Sequence, residues 1–169
     1  GHVEGELARL LFHELAHQVV YAQDDTAFNE SYATAVERLG GQRWLALHGS
    51  EQARAAFEVF DARRQAFRTL TREVRQNLKR IYTPALDSND SSATYFDGVA
   101  VRAAKAAEMA RFRARYAELK AAWGGYSGYD AWVARSNNAT FALQAAYDQW
   151  VTAFETLFER EGQSFPRFH

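Results

Sequence analysis

Cysteine is absent from the 169 residues, which excludes disulfides and any thiolate metal site. Proline occurs only twice, at Pro84 and Pro166. With alanine abundant as well, few obstacles to helix remain. No run of apolar residues is long enough to span a bilayer, and no signal peptide is visible. Neither sign of charge prevails: 20 Lys and Arg meet 21 Asp and Glu, for a formal net charge of −1. That balance argues against nucleic acid or an anionic membrane surface as an obligate partner. What is present is a chain 47% hydrophobic and 24% charged, ordinary for a globular domain and long enough to bury a core.

Helical periodicity runs through almost all of it. The segment 4–23 reads as a first helix. Leu7, Leu10, Leu11, Phe12, Leu15, Ala16, Val19 and Val20 make it apolar on nearly every side, the pattern of a buried helix. Asp24-Asp25-Thr26 is a turn with N-cap chemistry, and a second helix follows over 27–47. Ser50 caps a long helix, 50–82, with Glu51 in its first turn, where the macrodipole favours a carboxylate. Phe57, Phe60, Phe67, Leu70, Val74, Leu78 and Ile81 recur along it at three- and four-residue steps, interleaved with arginines. That is a charged, solvated face over an apolar stripe. Tyr82-Thr83-Pro84 ends it, because the residue before proline leaves the α region. Residues 83–94 are polar and read as a mobile loop. The remainder, 95–169, is a helical C-terminal part with helices near 95–123, 129–134 and 138–161 and a glycine-rich turn at 124–128. The last helix is expected to turn Leu143, Tyr147, Trp150, Val151, Phe154, Leu157 and Phe158 inward. There is no repeat and no convincing strand, so the expected fold is all-α, a helical bundle forming a single domain over 1–169.

The chemistry concentrates in His13-Glu14-Leu15-Ala16-His17. Two histidines four residues apart on a helix lie one turn above each other on the same face. Their imidazoles can then converge on one Zn²⁺. Glu14 is one step round the helix from His13. Its carboxylate can flank the ion without ligating it, where a general base for an attacking water must stand. Three ionisable groups on an otherwise apolar helix need partners, and zinc would supply one.

A catalytic zinc takes three protein ligands and keeps one position open. Glu30, in the Asn29-Glu30-Ser31-Tyr32-Ala33 run that opens the second helix, is the expected third ligand. The Asp24-Asp25 turn makes the two helices antiparallel neighbours and returns Glu30 to the level of His17. Glu37, two turns further along the same face, is the rival; its other role is to orient a ligand histidine. An oxyanion would need a further donor. Tyr82 and Tyr129 are the first candidates, with Tyr95 and Tyr126 beside them. Asn137 and Asn138 are candidates to bind substrate backbone. Each has an ordinary alternative, a half-buried core tyrosine or an N-cap asparagine.

Two stretches carry a resemblance: GELARLLFHELAHQVVYAQDDTAFNESYATAVE and WGGYSGYDAWVARSNNATFALQAAYDQWVTAFETLF. HExxH followed by an Asn-Glu-x-x-Ala helix is similar to the gluzincin arrangement of thermolysin-like and membrane-alanyl-aminopeptidase-like enzymes. More closely, the chain resembles the bacterial "predicted aminopeptidase" family of HExxH zinc metallopeptidases, over essentially its whole length. The resemblance implies His13, His17 and Glu30 as zinc ligands, Glu14 as catalytic acid and base, and a peptide as substrate. It also implies a longer protein from the bacterial envelope or periplasm, of which this chain, with its Gly1-His2 start, is the C-terminal part. A missing N-terminal part would complete the site, so the chain alone is expected to bind metal yet hydrolyse peptides poorly. Two departures stand out. Only twelve residues separate His17 from Glu30, fewer than in the better-known gluzincins. The position four after Glu30 is Thr34, where thermolysin-like enzymes carry an acid that orients a histidine; Glu37, Asp24 or Asp25 could take that role. The rival readings are a non-catalytic helical binding or scaffold module and a structural-metal helical domain.

Overall fold

In a computed structural model, the main chain is described for residues 2–86 and 93–169, and side chains for 4–82 and 98–169. Among these residues there are seven helices and no strand, so the all-α expectation holds. They are α1 (His2–Val19), α2 (Thr26–His48), α3 (Glu51–Leu86), α4 (Ala93–Ala122), α5 (Asp130–Arg135), α6 (Asn138–Arg160) and α7 (Phe165–Phe168). The expected caps form. Asp25 Oδ1 accepts from the Phe28 amide at 2.9 Å and starts α2, and Ser50 Oγ accepts from the Ala53 amide at 3.1 Å and starts α3.

Three expectations change. Pro84 does not end the long helix, which runs on to Leu86; a proline in the last turn removes only one hydrogen bond close to where the ladder ends anyway. Of the expected loop at 83–94, residues 83–86 belong to α3 and 93–94 to α4, and 87–92 lie outside the described residues. The second correction concerns α1, which is not buried all round. Leu7, Leu10, Leu11, Leu15 and Val19 are each more than half exposed, and only the stripe through Phe12, Ala16 and Val20 meets a core. The third concerns α6, where Val151, Phe154 and Phe158 are buried while Leu143, Trp150 and Leu157 are exposed.

The chain divides into two compact units, one of residues 1–61 and 144–169, the other of residues 62–143. The core of the first joins Ala16 of α1, Tyr32, Ala33, Ala35 and Val36 of α2, Phe154 and Phe158 of α6, and Phe168 of α7. Tyr32 stacks on Phe168 at 5.6 Å between ring centres, and its hydroxyl shares a hydrogen bond with His169 Nδ1. Burial pushes that hydroxyl's pKa up to about 12. The core of the second unit is built on Phe67, Leu70, Val74 and Leu78 of α3, the predicted apolar stripe, packed with Met109, Phe112 and Tyr116 of α4 and with Val133 and Phe141.

What positions the candidate site is the antiparallel pairing of α1 with α2. Gly5 lies against Leu45, Arg9 against Gly41, and Phe12 against Gly40. His13 faces Glu37, and His17 faces Glu30. Two adjacent glycines inside a helix cost roughly 1 kcal/mol each relative to alanine. The geometry shows what they provide. A Cβ on Gly40 would fall 2.9 Å from Cγ of the Phe12 ring, and one on Gly41 would fall 2.8 Å from Arg9 Cγ. Only bare backbone lets α1 come this close, and the close approach brings the histidine face of α1 onto the carboxylate face of α2.

Candidate functional site

One ligand atom each from His13, His17 and Glu30 lie within 4.8 Å of one another. The Nε2 of His13 is 3.3 Å from Glu30 Oε2, and the Nε2 of His17 is 3.4 Å from Glu30 Oε1. The helix step places the two imidazoles one above the other, 5.1 Å apart and nearly perpendicular. Glu30 is brought to them by the turn. Its neighbour Asn29 is buried and spans the turn to Ala22, donating to its carbonyl and accepting from its amide, both at 2.7 Å. Asp24, at the apex, adopts a left-handed backbone with φ 62°, which aspartate tolerates better than most residues.

The separations are compatible with a shared ion. A tetrahedral ion with arms of about 2.0–2.1 Å has edges of about 3.3–3.4 Å. Two nitrogens and a carboxylate are also a donor set that suits zinc. The three residues therefore could hold such an ion with little movement.

Around this cluster, Glu37 Oε2 lies 3.3 Å from His13 Nδ1, and its other oxygen pairs with Arg9. Asp25 is occupied as a helix cap. Glu14 is exposed. It lines a hollow of about 460 Å³ with Glu6, Arg9, Leu10, His13, Glu37 and Phe60. Tyr147 of α6 is a residue that sequence reasoning assigned only to packing. Its pKa is raised, first by burial and then by the charge of Glu30, with Thr34, one turn after Glu30, acting in the opposite direction. No spacing in the sequence links 147 to 30; only tertiary packing does.

A family model described as "Putative aminopeptidase" matches residues 2–169. The chain belongs to that family. Membership supports a peptidase-like function. Searches of curated proteins and of solved structures found no match. No helix among the described residues of this family member is long and apolar enough to cross a membrane.

The other expected site residues of this putative aminopeptidase all lie in the second unit. Tyr82 accepts a hydrogen bond from Asn138 Nδ2. Asn137 Oδ1 accepts from the Thr140 amide at 3.1 Å, and the Thr140 hydroxyl accepts from the Asn137 amide at 3.1 Å; this is the reciprocal cap of α6. Tyr129 stacks on Phe67 with ring centres 4.1 Å apart. Tyr126 lies under the Arg63 guanidinium at 4.5 Å. The side chain of Tyr95 is outside the described residues. Each of these five placed side chains thus has a local structural task, and the first unit by itself brings together His13, His17, Glu30 and Glu37, with Glu14 at the edge.

Proposed function

We propose that the chain is a zinc-dependent peptidase of aminopeptidase type, with His13, His17 and Glu30 as metal ligands and Glu14 as general base and acid. The observation that carries this reading is the pair of separations, 3.3 and 3.4 Å, between the two Nε2 atoms and the two oxygens of Glu30, which match a tetrahedral edge. Zinc held there supplies Lewis acidity, polarising a peptide carbonyl and making water acidic enough to react near neutral pH.

The chain's own residues do the rest. Each histidine presents Nε2 to the centre of the cluster. Glu30 supplies the compensating negative charge from the start of α2. Glu14 is about 100° further round α1 than His13, so its carboxylate borders the hollow rather than the ligand cluster. There it takes a proton from the attacking water and returns it to the departing amine. An exposed carboxylate beside an open hollow is what a hydrolytic site needs and what a closed structural site has no use for. This favours the peptidase over a structural-metal domain.

The test pairs zinc binding with hydrolysis. Zinc content and affinity are measured for wild type, His13→Ala, His17→Ala, Glu30→Ala and Glu14→Gln, with turnover of an aminoacyl-anilide panel alongside. The three ligand variants should lose zinc, and Glu14→Gln should keep zinc and lose turnover. Wild-type turnover in Glu14→Gln would remove its assigned role, and unchanged affinity in the three ligand variants would remove the metal centre.

A further inference from the structure

The two histidines are held differently. His17 Nδ1 is buried and makes no hydrogen bond among the described residues. His13 Nδ1 faces Glu37 Oε2 at 3.3 Å. The second oxygen of that carboxylate pairs with Nη2 of Arg9, and Arg9 sits one turn before His13 on α1, so the same face of one helix engages both oxygens of Glu37. Arg9 and Glu37 are each only 20% exposed, so water competes little for either charge.

Arg9 is itself fixed from two sides. Its guanidinium lies over the Phe60 ring at 4.4 Å, an arrangement with its own attraction. Its aliphatic stem runs across Gly41, where a Cβ would fall 2.8 Å from Cγ. The second glycine of the Gly40-Gly41 pair therefore makes room for this one side chain.

A neutral imidazole has one N–H and one lone pair. A carboxylate fixed at Nδ1 takes the N–H and leaves the lone pair on Nε2, the atom that faces Glu30 and His17. A Glu37 carboxylate without a second anchor could rotate, or swing toward the ligand cluster as a competing donor. Deepening the metal reading given above, and resting on it, we propose that Arg9 is a positioning residue: through Glu37 it sets the tautomer and ring orientation of His13, and it keeps Glu37 out of the ligand set. Gly41 is part of the device, because any side chain there displaces the Arg9 stem.

The experiment measures zinc affinity of the full chain by competition with a chromophoric chelator, for wild type, Arg9→Met, Glu37→Gln and the double variant. Arg9→Met should weaken zinc binding by about tenfold, the lower end for groups that orient a metal ligand. The double variant should be no weaker than Glu37→Gln alone, because Arg9 acts through Glu37. Arg9→Lys should recover part of the loss. Gly41→Ala, which leaves both charges in place, should weaken binding in wild type. Ring ¹⁵N spectra of the metal-free protein should show His13 protonated at Nδ1 in wild type and a mixture of tautomers in Arg9→Met. Wild-type affinity in Arg9→Met, or full additivity of the two losses, overturns the inference. If wild type binds zinc no better than His17→Ala, the metal reading fails instead. The tautomer comparison on metal-free protein still decides whether Arg9 sets His13.

Discussion

Asn29 and Ala22 exchange two hydrogen bonds of 2.7 Å across the turn between α1 and α2, with Asn29 buried. This clasp fixes where α2 begins relative to the end of α1, and so fixes Glu30 opposite His17. Asn29→Ala leaves the Ala22 amide without its partner and the Ala22 carbonyl with only the Asp25 amide, at 3.4 Å. Stability should fall by about 2–3 kcal/mol, read as a lower urea midpoint at unchanged slope. An unchanged midpoint would mean that the turn is held by something else.

Gly40→Val drives a side chain into the Phe12 ring, since even a Cβ there lies 2.9 Å from it. Valine gains little helix propensity over glycine, so nothing offsets the clash. Overpacking should cost about 1–3 kcal/mol, visible in chemical denaturation. The same variant should also weaken zinc binding, because α1 and α2 carry the ligands between them.

Zinc should stabilise the folded chain. Free metal at about a hundred times its dissociation constant adds roughly 2.7 kcal/mol, so calorimetry should show Tm rising with added zinc and falling with a chelator. His17→Ala should melt at the same temperature with and without zinc. A zinc-dependent shift persisting in His17→Ala would point to a different binding site.

Glu14→Gln preserves shape and removes only the ability to carry a proton. Hydrolysis of aminoacyl anilides should drop by about 10²-fold or more, with zinc affinity close to wild type. Loss of both together would identify Glu14 as a ligand, contrary to its assigned place at the edge of the hollow.

Acid sensitivity should arise in part from Glu108 of the second unit. This buried carboxylate accepts from Arg111 Nε at 2.9 Å and Nη2 at 2.7 Å, and from Asn77 at 3.1 Å. The Arg111 hydrogen bond, opposed by burial, holds its pKa below the ordinary 4.5. A carboxylate depressed in the folded state contributes stability that is full above its unfolded pKa and is lost as pH falls through its folded one. The urea midpoint should therefore decline between about pH 5 and pH 3, and Glu108→Gln should decline less steeply over the same range. Identical slopes would assign the acid sensitivity to other carboxylates.

Much of the fold was legible in the sequence, because helix is a local matter. Scarce proline, Asp25 and Ser50 as caps, and the stripe Phe67, Leu70, Val74, Leu78 act over a few residues at a time. Periodicity marks apolar faces but does not say which of them meet. Hence α1, apolar nearly all round, buries only one stripe, and Leu143 and Leu157 face outward on α6. Pro84 also showed the limit of a local rule, since the helix continues to Leu86.

The sequence by itself determined the all-α architecture, the His13–His17 pair on one helical face, and Glu30 and Glu37 as the carboxylates opposite. These follow from a spacing of four residues, a spacing of seven, and a short turn. Only the tertiary structure decided how closely those faces approach and what each carboxylate touches. Glu37 reaches His13 Nδ1 and Arg9, while Glu30 spans both Nε2 atoms. Tyr147 arrives beside Thr34 and Glu30 from a helix more than a hundred positions away. The physical reason is that a helix fixes angles along its own axis. The distance between two helices depends instead on the side chains that are missing at their contact, here those of Gly40 and Gly41.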